Sequence, residues 1–201
     1  MYKPYSEACD RNRDPILEAI RPWLSECTAL LEIGSGTGQH AVYFGEKLPH
    51  LLWHTSDREE NHGGIGLWLE GAGLANVRPP LSLDVAADEW PALQVDAVFS
   101  ANTAHIMDWQ SVEAMFSGVG ILLPERGVFL LYGPFNYRGR YTSDSNERFD
   151  GWLKARDPLS GIRDFEEVDR LARQADMVLR EDAVMPANNR LLVWQKRQSG
   201  E

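Results

Sequence analysis

Leu30-Leu31-Glu32-Ile33-Gly34-Ser35-Gly36-Thr37-Gly38-Gln39-His40 is the stretch from which the fold of this 201-residue chain can be read. The apolar run 29–33 halts at glycines, as a buried strand does. Beyond them Ala41, Phe44 and Leu48 recur at spacings of three and four, which predicts a helix over 37–48. Side-chain-free residues at the handover from strand to helix let the backbone bend sharply and approach a ligand closely. The glycines are spaced GxGxG, with Gln39 after the third, whereas the dinucleotide fingerprint is GxGxxG. An acid, Glu32, stands two places before the first of them.

Outward from this loop, strand-like and helix-like segments alternate. Strands are expected over 51–56, 77–83, 95–100 and 128–132. Asp14 and Pro15 read as the N-cap and first position of a helix over 14–24. A second crossover helix is expected over 65–72, ending at Gly73. Val112, Met115, Phe116, Val119 and Leu123 predict a third before Pro124, and 165–174 a last one. Apolar segments 177–184 and 191–194 flank the turn Met185-Pro186-Ala187-Asn188-Asn189, which favours an antiparallel hairpin. The whole predicts a doubly wound α/β fold: a mostly parallel seven-stranded sheet with an antiparallel C-terminal edge. Residues 133–164 interrupt the rhythm with Gly, Pro, Ser, Asn, Asp and Arg, and are expected to be a substrate-side insertion within one domain over 1–201.

A ribose-binding acid is expected at the end of strand two, about twenty residues beyond the glycines, and Asp57 stands there. Asp84-Val85 follow strand three. Three acids thus fall in register with three consecutive strand ends. The acid-x-GxGxG loop resembles motif I of the S-adenosylmethionine-dependent methyltransferases, whose cationic sulfonium ligand suits a nearby carboxylate. In that pattern the acid after strand three accepts from the adenine amino group. The whole chain resembles the methyltransferase-like protein 26 family, through Arg11-Asn12-Arg13-Asp14-Pro15-Ile16-Leu17, the glycine loop, Asn102 with His105-Ile106, and Leu131-Tyr132-Gly133-Pro134-Phe135. Ser145-Asn146 with Phe149-Asp150, Gly161-Ile162-Arg163-Asp164 and Met185–Asn189 complete the likeness. Ala104, and Leu159-Ser160 where an aromatic residue is usual, depart from it. The resemblance implies a class I methyltransferase fold with S-adenosylmethionine held by Glu32, Gly34, Ser35, Gly36, Gly38, Asp57, Asp84, Val85 and Asn102.

Ligands of open α/β sheets bind at the carboxyl ends of the strands. Asn102, His105 and Trp109 follow strand four; Tyr132 and Asn136 follow strand five. These residues, with Asn146, Asp150 and Arg163 of the insertion, are the candidate acceptor pocket, and the Asn188-Asn189 turn is a candidate for its far side. Trp109, Tyr132, Asn136, Asn146 and Arg163 are the expected substrate contacts. His105 and Asp150 are the candidate general bases, needed only for an acceptor protonated at neutral pH. A helix cap or a satisfied loop carbonyl would account for His105 equally. The insertion holds six Lys/Arg and five Asp/Glu, a balance of +1 against −11 for the rest of a chain of net charge −10. Its arginines are candidates to grip a carboxylate or phosphate, or simply to pair with the acids of the same exposed loop. His40 reads as a packing or surface residue; Gln39 is a candidate cofactor contact or, equally, a helix-surface residue.

The acidic surface repels phosphate backbones, so no nucleic-acid partner is expected. No eighteen-residue apolar run and no secretory leader are visible, and Cys9 and Cys27 are too far apart for a CxxC site. A cytoplasmic protein acting on a small molecule, without a metal and of open oligomeric state, is the expectation. Two other classes stay open: a non-catalytic cofactor-binding or scaffold protein, and a nicotinamide-dependent oxidoreductase, which the GxGxG spacing disfavours.

Overall fold

Runs of aliphatic and aromatic residues with no polar alternation form strands covered on both faces. β1 (Ala29–Ile33) and β5 (Val128–Gly133) are buried along their whole length, and β4 (Ala97–Ala101) along all but its last residue. The computed structural model describes residues 3–87, 89–198 and 200. With β2 (Leu52–Asp57), β3 (Val77–Ser82), β8 (Met177–Met185) and β9 (Asn189–Lys196) these strands make one seven-stranded sheet, in the order β3-β2-β1-β4-β5-β9-β8. The first five are parallel; β9 lies antiparallel between β5 and β8. This is the expected doubly wound sheet with its antiparallel edge. Two prolines, Pro79 and Pro80, are tolerated in β3 because it is the edge strand.

One face is covered by α1 (Glu7–Leu24) and α2 (Gln39–Lys47), whose Ile16, Ile20, Leu24 and Phe44 pack with Trp53 and Phe99. α3 (Glu59–Ala72) lies beside α2 and ends at Gly73 in the left-handed region. The other face is covered by α4 (Trp109–Leu122) and α6 (Phe165–Gln174), through Val112, Met115, Phe116, Val168 and Leu171. Strand order reverses between β1 and β4, which opens a crevice at their carboxyl ends.

Three expectations are corrected. α1 begins at Glu7, not at Asp14: Ser6 caps it by accepting from the Cys9 amide, acids occupy its first turn, and Pro15 lies inside the helix. α3 begins at Glu59, six residues early, with Glu59 and Glu60 suiting the positive helix end. The insertion is folded: β6 (Phe135–Asn136) pairs in parallel with β7 (Arg163–Asp164), and α5 (Asp144–Arg156) runs between them, capped by Ser143. Among the described residues no helix is long and apolar enough to cross a membrane.

Candidate active site

The three glycines of the β1–α2 loop all have positive φ, +72° at Gly34, +58° at Gly36 and +88° at Gly38, but their surroundings differ. A Cβ on Gly34 would lie 2.6 Å from the Thr103 methyl, and one on Gly38 3.1 Å from the Ile65 Cα. A Cβ on Gly36 would meet nothing within 4 Å. Gly34 and Gly38 therefore allow close packing, while Gly36 presents bare backbone to open space. The Gly34 and Ser35 amides both donate to the Ser56 carbonyl at 3.0 Å, which ties the loop to the end of β2.

Asp57 closes β2 and reaches back under the loop. It accepts from the Gly36 amide at 2.7 Å, and from the Arg58 amide and Asn61 Nδ2 at 2.8 Å. Two oxygens offer about four lone-pair sites, so one acceptor site is left for a ligand hydroxyl. Glu32 is buried beneath the loop and accepts from Ser35 Oγ at 2.8 Å and Trp53 Nε1 at 3.0 Å. Burial raises its pKa to about 7 despite those two donors. This carboxylate anchors the loop from below. Asp84 is half-buried after β3 and accepts from the Ala86 amide; Val85 is buried beside it, its carbonyl bonded by Trp90 Nε1.

After β4, Asn102 turns through φ +59° and donates its amide to the Tyr132 carbonyl at 2.8 Å, joining the ends of β4 and β5. His105 follows, 6% exposed, its ring edge-on to Phe149 of α5. Burial, helped by the Arg163 cation, lowers its pKa to about 4. Among the described residues none hydrogen-bonds its imidazole. The structure thus brings the glycine loop, Asp57, Asn102, His105 and Tyr132 to one sheet edge. Asn146 joins from α5, donating to Thr142 Oγ1 and to the carbonyl of Asn188.

Two of the residues expected to act on an acceptor are held otherwise. Arg163 donates to the backbone carbonyls of Ala104, Met107 and Leu159, and its guanidinium lies 5.8 Å from the Trp109 ring centroid. Its fork pins the loop after β4 and is not presented to a carboxylate. Asp150 accepts from Tyr141 Oη and Lys154 Nζ at 2.6 Å and from the Ile162 amide at 2.7 Å. Burial pushes its pKa up, but these donors outweigh that and hold it below the usual carboxylate range. Such a group fastens the insertion together and is a poor base. Trp109 opens α4 and donates to Glu113; Asn136 lies in β6, its buried Oδ1 without a partner among the described residues. Among the described residues no cluster of His, Cys, Asp and Glu could hold a metal.

Sequence reasoning missed the α1 contribution. Ser6 donates its amide to Gln39 Oε1 at 2.6 Å and accepts from Gln39 Nε2 at 3.3 Å. Asn12 Oδ1 meets His40 Nε2 at 2.8 Å. Gln39 and His40 are both buried, so neither is a surface residue. The string 11–17 carried the only signal, as part of the family likeness.

Solved structures share this architecture. The S-adenosylmethionine-dependent methyltransferase SibL, in apo form, superposes with a TM-score of 0.80 at 18% identity, over 95% of this chain and 56% of its own. Human N-acetylserotonin methyltransferase, in complex with S-adenosylmethionine, gives 0.80 at 15%, over 96% and 53%. An O-methyltransferase family 2 protein of Planctomyces limnophilus, in complex with apigenin, gives 0.74 at 18%, over 84% and 49%. The chain spans about half the length of each, and at these identities the likeness shows a Rossmann-like methyltransferase fold. A family model described as "Protein of unknown function (DUF938)" matches residues 3–196, and the chain belongs to that family.

Proposed function

We propose that this protein is an S-adenosylmethionine-dependent methyltransferase acting on a small-molecule acceptor. The observation that carries the reading is the pairing of Gly36 with Asp57. A bare, positive-φ backbone stands open on one side and is held from the other by the acid that ends β2. The structures sharing the fold include methyltransferases described with S-adenosylmethionine and with apigenin, which supports the same choice of cofactor and acceptor class. The likeness to the methyltransferase-like protein 26 family belongs to this proposal as well.

The residues fit such a cofactor. Asp57 would take a ribose hydroxyl, Asp84 and Val85 the adenine end, and the 34–38 backbone with Ser35 and Asn102 the remainder, with Glu32 bracing the loop. When bound, the cofactor supplies a methyl group already activated by its sulfonium. The chain's own task is to hold a nucleophile in line with that methyl. His105 stays neutral above about pH 5, so it can accept a hydrogen bond from an acceptor hydroxyl and orient it. With a pKa about 4 it is a weak proton acceptor at neutral pH. This favours an acceptor that needs little help in losing its proton.

The same observation supports a second reading, a cofactor-binding protein without turnover. Calorimetry with S-adenosylmethionine, S-adenosylhomocysteine and NAD tests the cofactor. Binding of both sulfur ligands and not NAD is expected, and heat with NAD alone would overturn the proposal. Transfer of a labelled methyl to any small acceptor then separates the two readings.

A further inference from the structure

Side chains along β5 alternate between the two faces of the sheet. Leu130 and Tyr132 pack on the α1 face and Phe129 and Leu131 on the α4 face, so position 133 falls on the α4 face. A core strand would place an apolar side chain there, and this one places Gly133, which is buried. The usual reasons for glycine in a strand are absent. Its φ lies outside the left-handed region, and its pairing with β9 runs without a bulge. A Cβ on it would approach no backbone beyond its chain neighbours among the described residues. The atoms within 4 Å of that Cβ are Nδ1 and Cε1 of His105, at 3.6 and 4.0 Å, an ordinary van der Waals approach. Gly133 thus leaves unfilled the space in front of an imidazole nitrogen. The remaining use of a strand glycine is to let a ligand come close.

His105 is the complement of that space. It is 6% exposed, and neither ring nitrogen has a partner among the described residues. Neither is among the fully sealed polar atoms that lack one, which are Arg13 Nε and Asn136 Oδ1. The imidazole is therefore enclosed yet reachable, and gives up hydrogen bonds that water would supply. The charged groups packed around it are satisfied within the protein, Arg163 by three carbonyls and Asp150 by Lys154, Tyr141 and the Ile162 amide. A neutral imidazole accepts at the nitrogen without the proton, so Nδ1 accepts when Nε2 carries it. A ligand oxygen near the position of the missing Cβ is within hydrogen-bond reach of Nδ1. The surroundings of the imidazole are aromatic. Phe149 stands edge-on to it, centroids 5.3 Å apart, and stacks at 5.8 Å on Trp152. Trp152 is 51% exposed, with Arg156 over its ring at 4.6 Å. A row of rings thus runs from the buried imidazole to the surface.

We propose that Gly133 and His105 form the acceptor subsite, in which the gap over Gly133 admits the hydroxyl of an aromatic acceptor that donates to Nδ1 while its ring lies beside Phe149. The proposal rests on the methyltransferase reading and adds to it the acceptor class, a phenol-type alcohol, and the residue that admits it. Gly133 determines specificity, because any side chain there would stand in the hydroxyl's place.

Phenol and anisole, one ring with and without the hydroxyl proton, are the probes. The whole protein, labelled with nitrogen-15 in histidine and loaded with S-adenosylhomocysteine, is titrated by NMR. Phenol should shift the His105 Nδ1 resonance and bind about fivefold tighter than anisole, the worth of one neutral hydrogen bond. Gly133→Ala should weaken phenol by about fivefold or more, since its methyl stands before Nδ1. Its urea midpoint should not fall, because the backbone there suits alanine and the unfolded chain loses freedom. Its calorimetric affinity for S-adenosylhomocysteine should stay within about twofold. His105→Phe, which keeps a ring and loses the nitrogen, should erase the difference between phenol and anisole. Anisole binding as well as phenol, neither binding while S-adenosylhomocysteine does, or phenol indifferent to Gly133→Ala would overturn the proposal. A destabilised Gly133→Ala would overturn it too, by showing that the glycine serves packing. Failure of the wild type to bind S-adenosylhomocysteine is a different result, which removes the methyltransferase reading and this one with it.

Discussion

Gly36 and Asp57 test the cofactor site without testing the fold. Alanine at Gly36 meets no neighbour, so Gly36→Ala should cost only the strain of a left-handed alanine, about 1 kcal/mol, while its methyl occupies the open face of the loop. S-adenosylhomocysteine affinity should fall more than about tenfold with a small change in melting temperature. Gly34→Ala, whose Cβ would strike Thr103, should lose stability first. Asp57→Ala removes charge-assisted bonds, worth about 1.5–3 kcal/mol, or about one to two decades of affinity. Unchanged affinity in folded Asp57→Ala protein would show that the ribose lies elsewhere. Three buried groups also set the pH response. Glu32, raised to about 7, resists ionisation when folded, so its contribution is present below about pH 4.5 and is lost as pH rises towards 7. His40 and His105, lowered to about 4, stay neutral when folded; their contributions are present above about pH 6.5 and are lost as pH falls towards 4. Two against one, unfolding free energy should climb from pH 4 to 6.5. Glu32→Gln should steepen the climb and His105→Gln flatten it, as urea titrations across that range would read; the reverse order would refute the assignment.

Elements were legible in proportion to their burial. β1, β4 and β5 are covered on both faces, so they are written as unbroken apolar runs, and the carboxyl-edge positions of Asp57, Asn102 and Tyr132 follow from strand ends alone. α5 escaped because only Asn146, Asp150 and Leu153 of its thirteen residues are buried, which leaves no apolar stripe to read. Its cap was nonetheless present in Ser143, with Asp144 and Glu147 in the first turn. α1 was clipped because Asp14-Pro15 imitates a helix start that the Ser6 cap supersedes. The fate of Arg163 was unreadable for another reason: its partners are backbone carbonyls brought close only by the tertiary fold; Asp150 has Lys154 one turn away on α5, but its bonds to Tyr141 Oη and the Ile162 amide likewise needed the fold. That difference is measurable. Arg163→Ala should free three carbonyls and destabilise the protein by about 2 kcal/mol, while S-adenosylhomocysteine affinity stays within about twofold. Urea unfolding paired with calorimetry reads both. A loss of ligand affinity without loss of stability would return Arg163 to the site.

At the scale of the molecule, the segment before α1 links the two helices flanking the glycine loop. The Pro4 carbonyl accepts from Trp68 Nε1 at 2.7 Å, Lys3 Nζ lies 3.7 Å from the Trp68 ring centroid, and Pro4 packs against Gly64, all on α3. Two residues later Ser6 is bound twice by Gln39, at the start of α2. Gly38, between those helices, sits against Ile65 and Trp68. A ligand that orders the loop therefore stabilises the contacts that hold the segment down, and opening of the segment must loosen the loop. Such coupling works through local unfolding equilibria, in which ordering one group makes ordering the next less costly. Hydrogen exchange should show amides of residues 6–13 slowing when S-adenosylhomocysteine binds, together with those of 34–40. Gln39→Ala removes both bonds to Ser6, so exchange at Ser6 and the first turn of α1 should quicken by about fivefold or more in the free protein. The same variant should weaken S-adenosylhomocysteine by a comparable factor although no atom of Gln39 need touch it, because the loop would then be ordered at the ligand's expense. Slowing confined to 34–40, with residues 6–13 indifferent to ligand, would mean that the segment and the loop are neighbours without being coupled.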